Sequence, residues 1–226
     1  MQVIVVLEEF GVPYEIEAIK FENIKKEPFI SVNPNGRVPA IEDPNTGITL
    51  GESGAILSYL IKHYDTKNRF SYEAFKERTL CEQWLAYQIS GQGPYFGQCI
   101  CFTYLHPEKI PSAIERYADE IKRVLGVLDG VLAAKPKDEQ WLVGDRMTYE
   151  DLAFVPFRGV FTRKGMARER AWSSSRLGSR PRRSASGARL LDEQGFDANG
   201  MPKGTKSFQD YEASTAVADQ ASASNL

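Results

Sequence analysis

Apolar residues recur along the first third of the chain at two different periods, and the switches between them outline a fold. Val3, Val6, Leu7 and Phe10 fall at helical spacing and Gly11 closes the run, which predicts a helix over residues 2–10. Tyr14, Ile16 and Ala18 then alternate with Glu15 and Glu17, the two-residue period of a half-buried strand. Residues 23–30 read as a short helical or irregular crossover. Val38 to Ile41 and Ile48 to Leu50 are short apolar runs on either side of Asp43-Pro44-Asn45-Thr46-Gly47. Pro, Asn and Gly supply the fixed and positive φ angles of a turn, so the three pieces predict a hairpin. From Ser53 to Tyr64 the helical period returns through Ala55, Ile56, Tyr59 and Leu60. Helix, strand, crossover, hairpin and helix make a small α/β module over residues 1–65.

After the polar linker Asp65–Arg69 no strand pattern survives. A helix is expected from Tyr72 to Ile89, with Phe75, Leu80, Trp84 and Tyr87 as its large buried candidates. Gly91-Gln92-Gly93-Pro94 is expected to break it, and Tyr95 to Tyr104 to form a second, aromatic-rich helical segment. Pro111 suits the first turn of a longer helix. Its stripe is Ile114, Tyr117, Ile121, Val124, Leu125, Leu128 and Val131. Thr148-Tyr149-Glu150-Asp151 matches a helix-start box, with Thr148 capping and Asp151 reaching back. Residues 70–157 therefore read as an all-helical unit. Beyond Pro156 the period collapses into a segment crowded with Arg, Ser and Gly, so residues 158–226 are expected to be a largely disordered tail. The other reading of that segment is a basic nucleic-acid-binding arm, which lacks an aromatic or helical frame.

Composition narrows the function classes. A net charge of −2 gives no global electrostatic case for nucleic acid or an anionic membrane. No apolar run approaches the roughly 20 residues of a spanning helix. Three cysteines, Cys81, Cys99 and Cys101, fit reduced thiols and a cytoplasmic location. The two histidines, His63 and His106, match no zinc spacing, so no metal is expected.

The chemistry concentrates between Asn33 and Tyr64. Pro39 cannot donate to a strand ladder, and as an ordinary trans edge proline it would need no ligand. Glu52-Ser53-Gly54 stands where a strand turns into a helix. Free N–H groups, the positive end of the helix dipole and the Ser53 hydroxyl favour a carboxylate there, while Glu52 offers an acceptor for an ammonium. That pair suits an α-amino acid group, and the whole stretch suits a small anionic peptide. Ser53 as a plain N-cap and Glu52 as a dipole partner would need no ligand. The aromatics of residues 91–104 serve equally as pocket lining or as core.

Five words in order now carry a resemblance: Asn33-Pro34-Asn35-Gly36-Arg37-Val38-Pro39-Ala40, Glu52-Ser53-Gly54-Ala55-Ile56, Gly91-Gln92-Gly93-Pro94-Tyr95-Phe96-Gly97-Gln98, His106-Pro107-Glu108-Lys109, and Leu142-Val143-Gly144-Asp145 with Thr148 and Asp151. From Val3 to Phe154 the chain resembles the glutathione S-transferases, most closely the fungal group related to the yeast nitrogen-catabolite regulator. The resemblance implies a thioredoxin-like domain followed by a helical domain, with glutathione as co-substrate and no metal. It implies a cis Val38–Pro39 bond, Val38 backbone paired with the cysteinyl unit, and Glu52 and Ser53 on the γ-glutamyl end. Arg37 and Lys26 are the candidates for the glycyl carboxylate. A hydrophobic electrophile or a disulfide or peroxide would be the second substrate, and the expected assembly is a homodimer.

In that family the thiol-activating residue lies between the first strand and the first helix. Met1 already stands at the start of that helix, so the expectation is a chain with its first strand missing and no residue to inherit the catalytic role. The arginine-rich segment after Phe154 reads likewise as an aberrant end of an incomplete or misassembled gene product. Weak or no conjugation is expected, and a non-catalytic glutathione-binding or transcription-regulator-binding protein of the same fold is the alternative.

Overall fold

A computed structural model of the chain describes residues 2–136 and 139–155. α1 (Gln2–Phe10) buries Val3, Val6 and Leu7, and Gly11 ends it at a φ of 66°, a left-handed angle that glycine adopts without strain. After a 3-10 turn at Phe21–Asn23 comes the single turn α2 (Phe29–Val32). β1 (Ala40–Asp43) and β2 (Ile48–Gly51) pair antiparallel with Ala40 opposite Gly51 and Asp43 opposite Ile48. α3 (Ser53–Tyr64) follows one residue later.

The helical part runs from α4 (Phe75–Tyr87) through a π-turn at Gln88–Gln92 into α5 (Gly93–Ile100). A second π-turn (Cys101–Leu105) leads to the 23-residue α6 (Pro111–Ala133) and finally to α7 (Tyr149–Ala153). Thr148 and Asp151 form the expected reciprocal box at the start of α7.

Three expectations are corrected by packing. The alternating stretch Tyr14–Ala18 is not a strand: residues 12–20 carry neither helix nor strand, and the sheet of the described residues contains β1 and β2 alone. An alternating pattern becomes a strand only when a neighbour offers a ladder. Gly91–Pro94 does not break the helix, because the π-turn absorbs the glycines and Pro94 falls at the first turn of α5, where proline is tolerated. Phe75, expected in the core, is 75% exposed at the first position of α4.

One hydrophobic cluster gathers both parts of the chain. It takes Val3, Val6 and Leu7 from α1, Ile56, Leu57, Leu60 and Ile61 from α3, Cys81, Trp84 and Leu85 from α4, Leu128 and Leu132 from α6, and Tyr149, Leu152 and Ala153 from α7. A satellite of Phe96, Cys99, Ile121, Val124 and Leu125 joins α5 to α6. Buried amides tie the layers at their polar points. Gln2 Nε2 donates to the Ala153 carbonyl at 2.5 Å, and Gln92 Nε2, in the π-turn, donates to the Phe154 carbonyl at 3.2 Å. The expected tail over residues 158–226 lies outside the described residues.

Candidate functional site

The hairpin register places the two motifs together. Since Ala40 pairs with Gly51, Val38 stands just ahead of one strand and Glu52-Ser53 just beyond the other, at the same open end. The Val38–Pro39 peptide is cis, Val38 is 65% exposed, and the ladder begins only at Ala40. Val38 therefore lies outside the sheet as an exposed residue.

The loop leading to Val38 is held by Asn33, which is 5% exposed. Its Nδ2 donates to the Arg37 carbonyl at 2.7 Å, and its Oδ1 accepts the Asn35 N–H at 3.1 Å. The Asn33 side chain lies so close to Gly51 that a Cβ there would meet it at 2.9 Å. Gly36, with φ at 55°, leaves no room either: a Cβ would stand 2.6 Å from the Ile24 carbonyl oxygen. Lys25 Nζ closes the loop from the other side on the Asn35 carbonyl at 2.6 Å.

Glu52 is the unusual residue. Its φ of 63° and ψ of 113° lie in a region that a non-glycine side chain enters at a penalty of about 1–3 kcal/mol. Its carbonyl accepts the Ile56 N–H at 2.9 Å, and its carboxylate accepts Asn35 Nδ2 at 2.8 Å. Glu52 is thus the residue flanking the helix, and Ser53 is the first residue of α3 rather than its cap. The Ser53 hydroxyl makes no hydrogen bond within the described residues, and the first N–H groups of a helix have no intrahelical acceptor. Acceptor carboxylate, hydroxyl and open N–H groups stand side by side, a complement for an ammonium and a carboxylate on one carbon.

Gly54 brings the helical part against this point. A Cβ at Gly54 would meet Ile89 Cδ1 at 2.1 Å, so Ile89 of the π-turn packs on the first turn of α3, beside Ser53. The other sequence candidates are more loosely placed. Arg37 and Lys26 are both exposed, and Lys26 has no side-chain partner within the described residues. Asn33, Asn35 and Lys25 were not among the candidates; the Asn-Pro-Asn-Gly spacing signals an Asx-type turn but not that its amide reaches Glu52.

A cavity of about 740 Å³ lies elsewhere, at the linker around Asn68, Arg69 and Arg146, and shares no residue with this site. Its two arginines are engaged internally: Arg146 donates to the Asn68 and Ser71 carbonyls and stacks 4.0 Å from the Tyr72 ring, and Arg69 donates to the Glu9 carbonyl. No cluster of three or more His, Cys, Asp or Glu side chains suited to a metal occurs among the described residues.

The model of the glutathione S-transferase N-terminal domain matches residues 1–62, and that of the C-terminal domain matches residues 94–171. The glutathione S-transferase-like protein tpcF of Aspergillus fumigatus is 46% identical over 166 residues, covering 71% of this chain and 74% of tpcF. The chain belongs to the glutathione S-transferase family. The transcriptional regulator URE2 of Saccharomyces cerevisiae is 35% identical over 199 residues, covering 73% of this chain and 56% of URE2. Among solved structures, Ure2p in complex with glutathione superposes with a TM-score of 0.73 at 36% identity, over 79% of this chain and 86% of that one. The glutathione S-transferase fold, a thioredoxin-like part with a small sheet followed by a helical part, is therefore the fold of this chain.

Proposed function

We propose that this chain binds glutathione across the open end of the hairpin. The observation that carries the reading is the register Ala40–Gly51, which sets the exposed residue Val38 at the same end of the hairpin as Glu52-Ser53. Val38 N–H and C=O pair with the cysteinyl unit as an added strand would. The γ-glutamyl ammonium meets the Glu52 carboxylate, and its carboxylate meets Ser53 and the N-terminus of α3. Arg37 and Lys26 are the cations for the glycyl end.

Binding of this kind supports two outcomes. In the first the bound thiolate attacks a hydrophobic electrophile, or a disulfide or peroxide, presented beside Ile89 and the π-turn. In the second, favoured by the similarity to a transcriptional regulator, glutathione is held without turnover. Family resemblance also supports a homodimer, to be read by sedimentation equilibrium. The three cysteines, none of them in a disulfide, support a cytoplasmic location.

Calorimetric titration of the 226-residue chain with glutathione tests the common core of both outcomes. Glu52→Ala removes a charged partner worth about 1.5–3 kcal/mol, so the affinity should fall roughly 10- to 100-fold, and Ser53→Ala should weaken binding less. Unchanged affinity in both variants would refute the site. Turnover of an aromatic halide with glutathione then separates enzyme from binder.

A further inference from the structure

The first turn of α7 holds more acceptors than protons. Thr148 Oγ1, fully buried, lies within hydrogen-bond distance of two carboxyl groups, Glu150 Oε1 and Asp151 Oδ2, the latter at 3.2 Å. A hydroxyl carries one proton and can donate to only one of them. Asp151 is committed as an acceptor, since it takes the Thr148 N–H at 3.0 Å and the Leu142 N–H at 3.2 Å. Glu150 is fully buried; its Oε2 accepts no hydrogen bond among the described residues, and only the weak donor Cys81 and the Glu150 N–H otherwise face the carboxyl. One further proton satisfies the whole group: on Glu150 it is donated to Thr148 Oγ1, whose own proton then goes to Asp151.

We infer that Glu150 is a neutral carboxylic acid in the folded protein, and that its ionisation is a built-in proton switch on the docking of α7. The surroundings agree. Burial, then the neighbouring Asp151, push the Glu150 carboxyl up to about 7 from an ordinary 4.5. From α4 the groups around this turn are Cys81, whose thiol is itself raised by burial and by Glu150, and Glu82; from α7 they are Tyr149 and Asp151. Among the described residues no cation is one of the groups that shift Glu150. Apart from Gln2, whose amide bonds the Ala153 carbonyl, α1 and α3 meet α7 with apolar side chains. Of their ionisable groups, Glu8 is turned to the Tyr14 hydroxyl, Glu9 is half-buried, Lys62 and His63 are exposed, and Tyr59 and Tyr64 bond Asp43. In the loop before α7, Arg146 is held by the Asn68 and Ser71 carbonyls and by exposed Asp145.

The turn is a junction. The Tyr149 N–H donates to the Phe70 carbonyl at 3.0 Å, and the last carbonyls of the segment take Gln2 of α1 and Gln92 of the π-turn. An ionised Glu150 would leave a buried charge and two acceptors facing one hydroxyl proton, so the box loosens and these anchors go with it. Because the folded value lies above the unfolded one, the stabilisation is complete below about 4.5 and is lost as pH rises through about 7.

Infrared spectroscopy of the full chain tests the inference. At pH 6, where ordinary carboxylates are ionised, the wild type should show the carbonyl stretch of a protonated buried carboxyl that disappears with a midpoint near 7. Glu150→Gln should lack that band. Amide exchange over Ala153–Val155 should accelerate from about pH 5 to 7, beyond the intrinsic rate, in the wild type and not in Glu150→Gln. The wild-type unfolding constant should rise by up to about tenfold per pH unit between about 4.5 and about 7 relative to the variant, and level off above that. Absence of the band, its persistence in Glu150→Gln, or equal pH dependence in both proteins would overturn the inference. Should Glu150→Gln not fold, the band is read in Asp129→Asn, whose carboxyl is also raised by burial: survival there supports Glu150, and loss refutes it.

Discussion

Glu52 carries two roles that pull against each other. Its backbone sits at a φ of 63° where glycine would be at ease, and its side chain is the acceptor of the proposed site. Strain kept at a residue with a chemical role is expected where function, rather than folding, chose the side chain. Glu52→Gly separates the two: relief of a left-handed β-carbon, worth about 1–2 kcal/mol, offsets the larger entropy of unfolded glycine. Chemical denaturation should find Glu52→Gly as stable as the wild type or slightly more stable, while glutathione affinity falls as far as in Glu52→Ala. A variant that lost stability and affinity together would instead make Glu52 a structural residue.

At the scale of elements, the hairpin is tied to α3 at the end remote from the site. The Tyr59 and Tyr64 hydroxyls both donate to Asp43 Oδ2, at 2.6 and 2.5 Å, and Thr46 joins Tyr59 at 2.7 Å. These bonds, Tyr59 first and Tyr64 second, hold the Asp43 carboxyl down at about 2, against an ordinary 3.8. A depressed folded value stabilises above the unfolded one. The contribution is therefore complete above about 3.8 and disappears as pH falls through about 2. Acid unfolding followed by circular dichroism should show this window in the wild type and a flatter one in Asp43→Asn. Asp43→Asn should leave the hairpin free to shift against α3 and weaken glutathione binding modestly, a coupling that Tyr59→Phe with Tyr64→Phe should reproduce.

The whole molecule unfolds around a shared core. Leu57 of α3 is completely buried in the same cluster as Trp84 of α4 and Leu152 of α7, although α3 belongs to the α/β part and the others to the helical part. Leu57→Ala should cost about 2–5 kcal/mol. With one core the cost should appear equally in the tryptophan fluorescence transition and in amide protection of the hairpin. Two separate transitions, with only one of them displaced, would show that the parts fold independently.

Much of this was legible because it is local. Helical spacing marked α1, α3 and α6, the Asp43–Gly47 turn marked the hairpin, and Thr148 with Asp151 marked the start of α7. Short-range periods and cap chemistry need no distant partner. Glu52 and Ser53 were legible for the same reason, as a strand-to-helix junction with charge. What the tertiary structure alone decided depends on neighbours far along the chain. Residues 12–20 alternate like a strand and are not one, because a ladder must come from elsewhere. Phe75 is exposed and Gly91–Pro94 continues the helix, since burial and π-turn geometry are set by what packs alongside. The amides of Asn33 and Asn35, and the proton shared among Thr148, Glu150 and Asp151, became visible only when folding brought those groups within reach. The sequence by itself determined which residues could do chemistry; the packed chain decided which of them meet, because contact and desolvation are properties of the packed molecule.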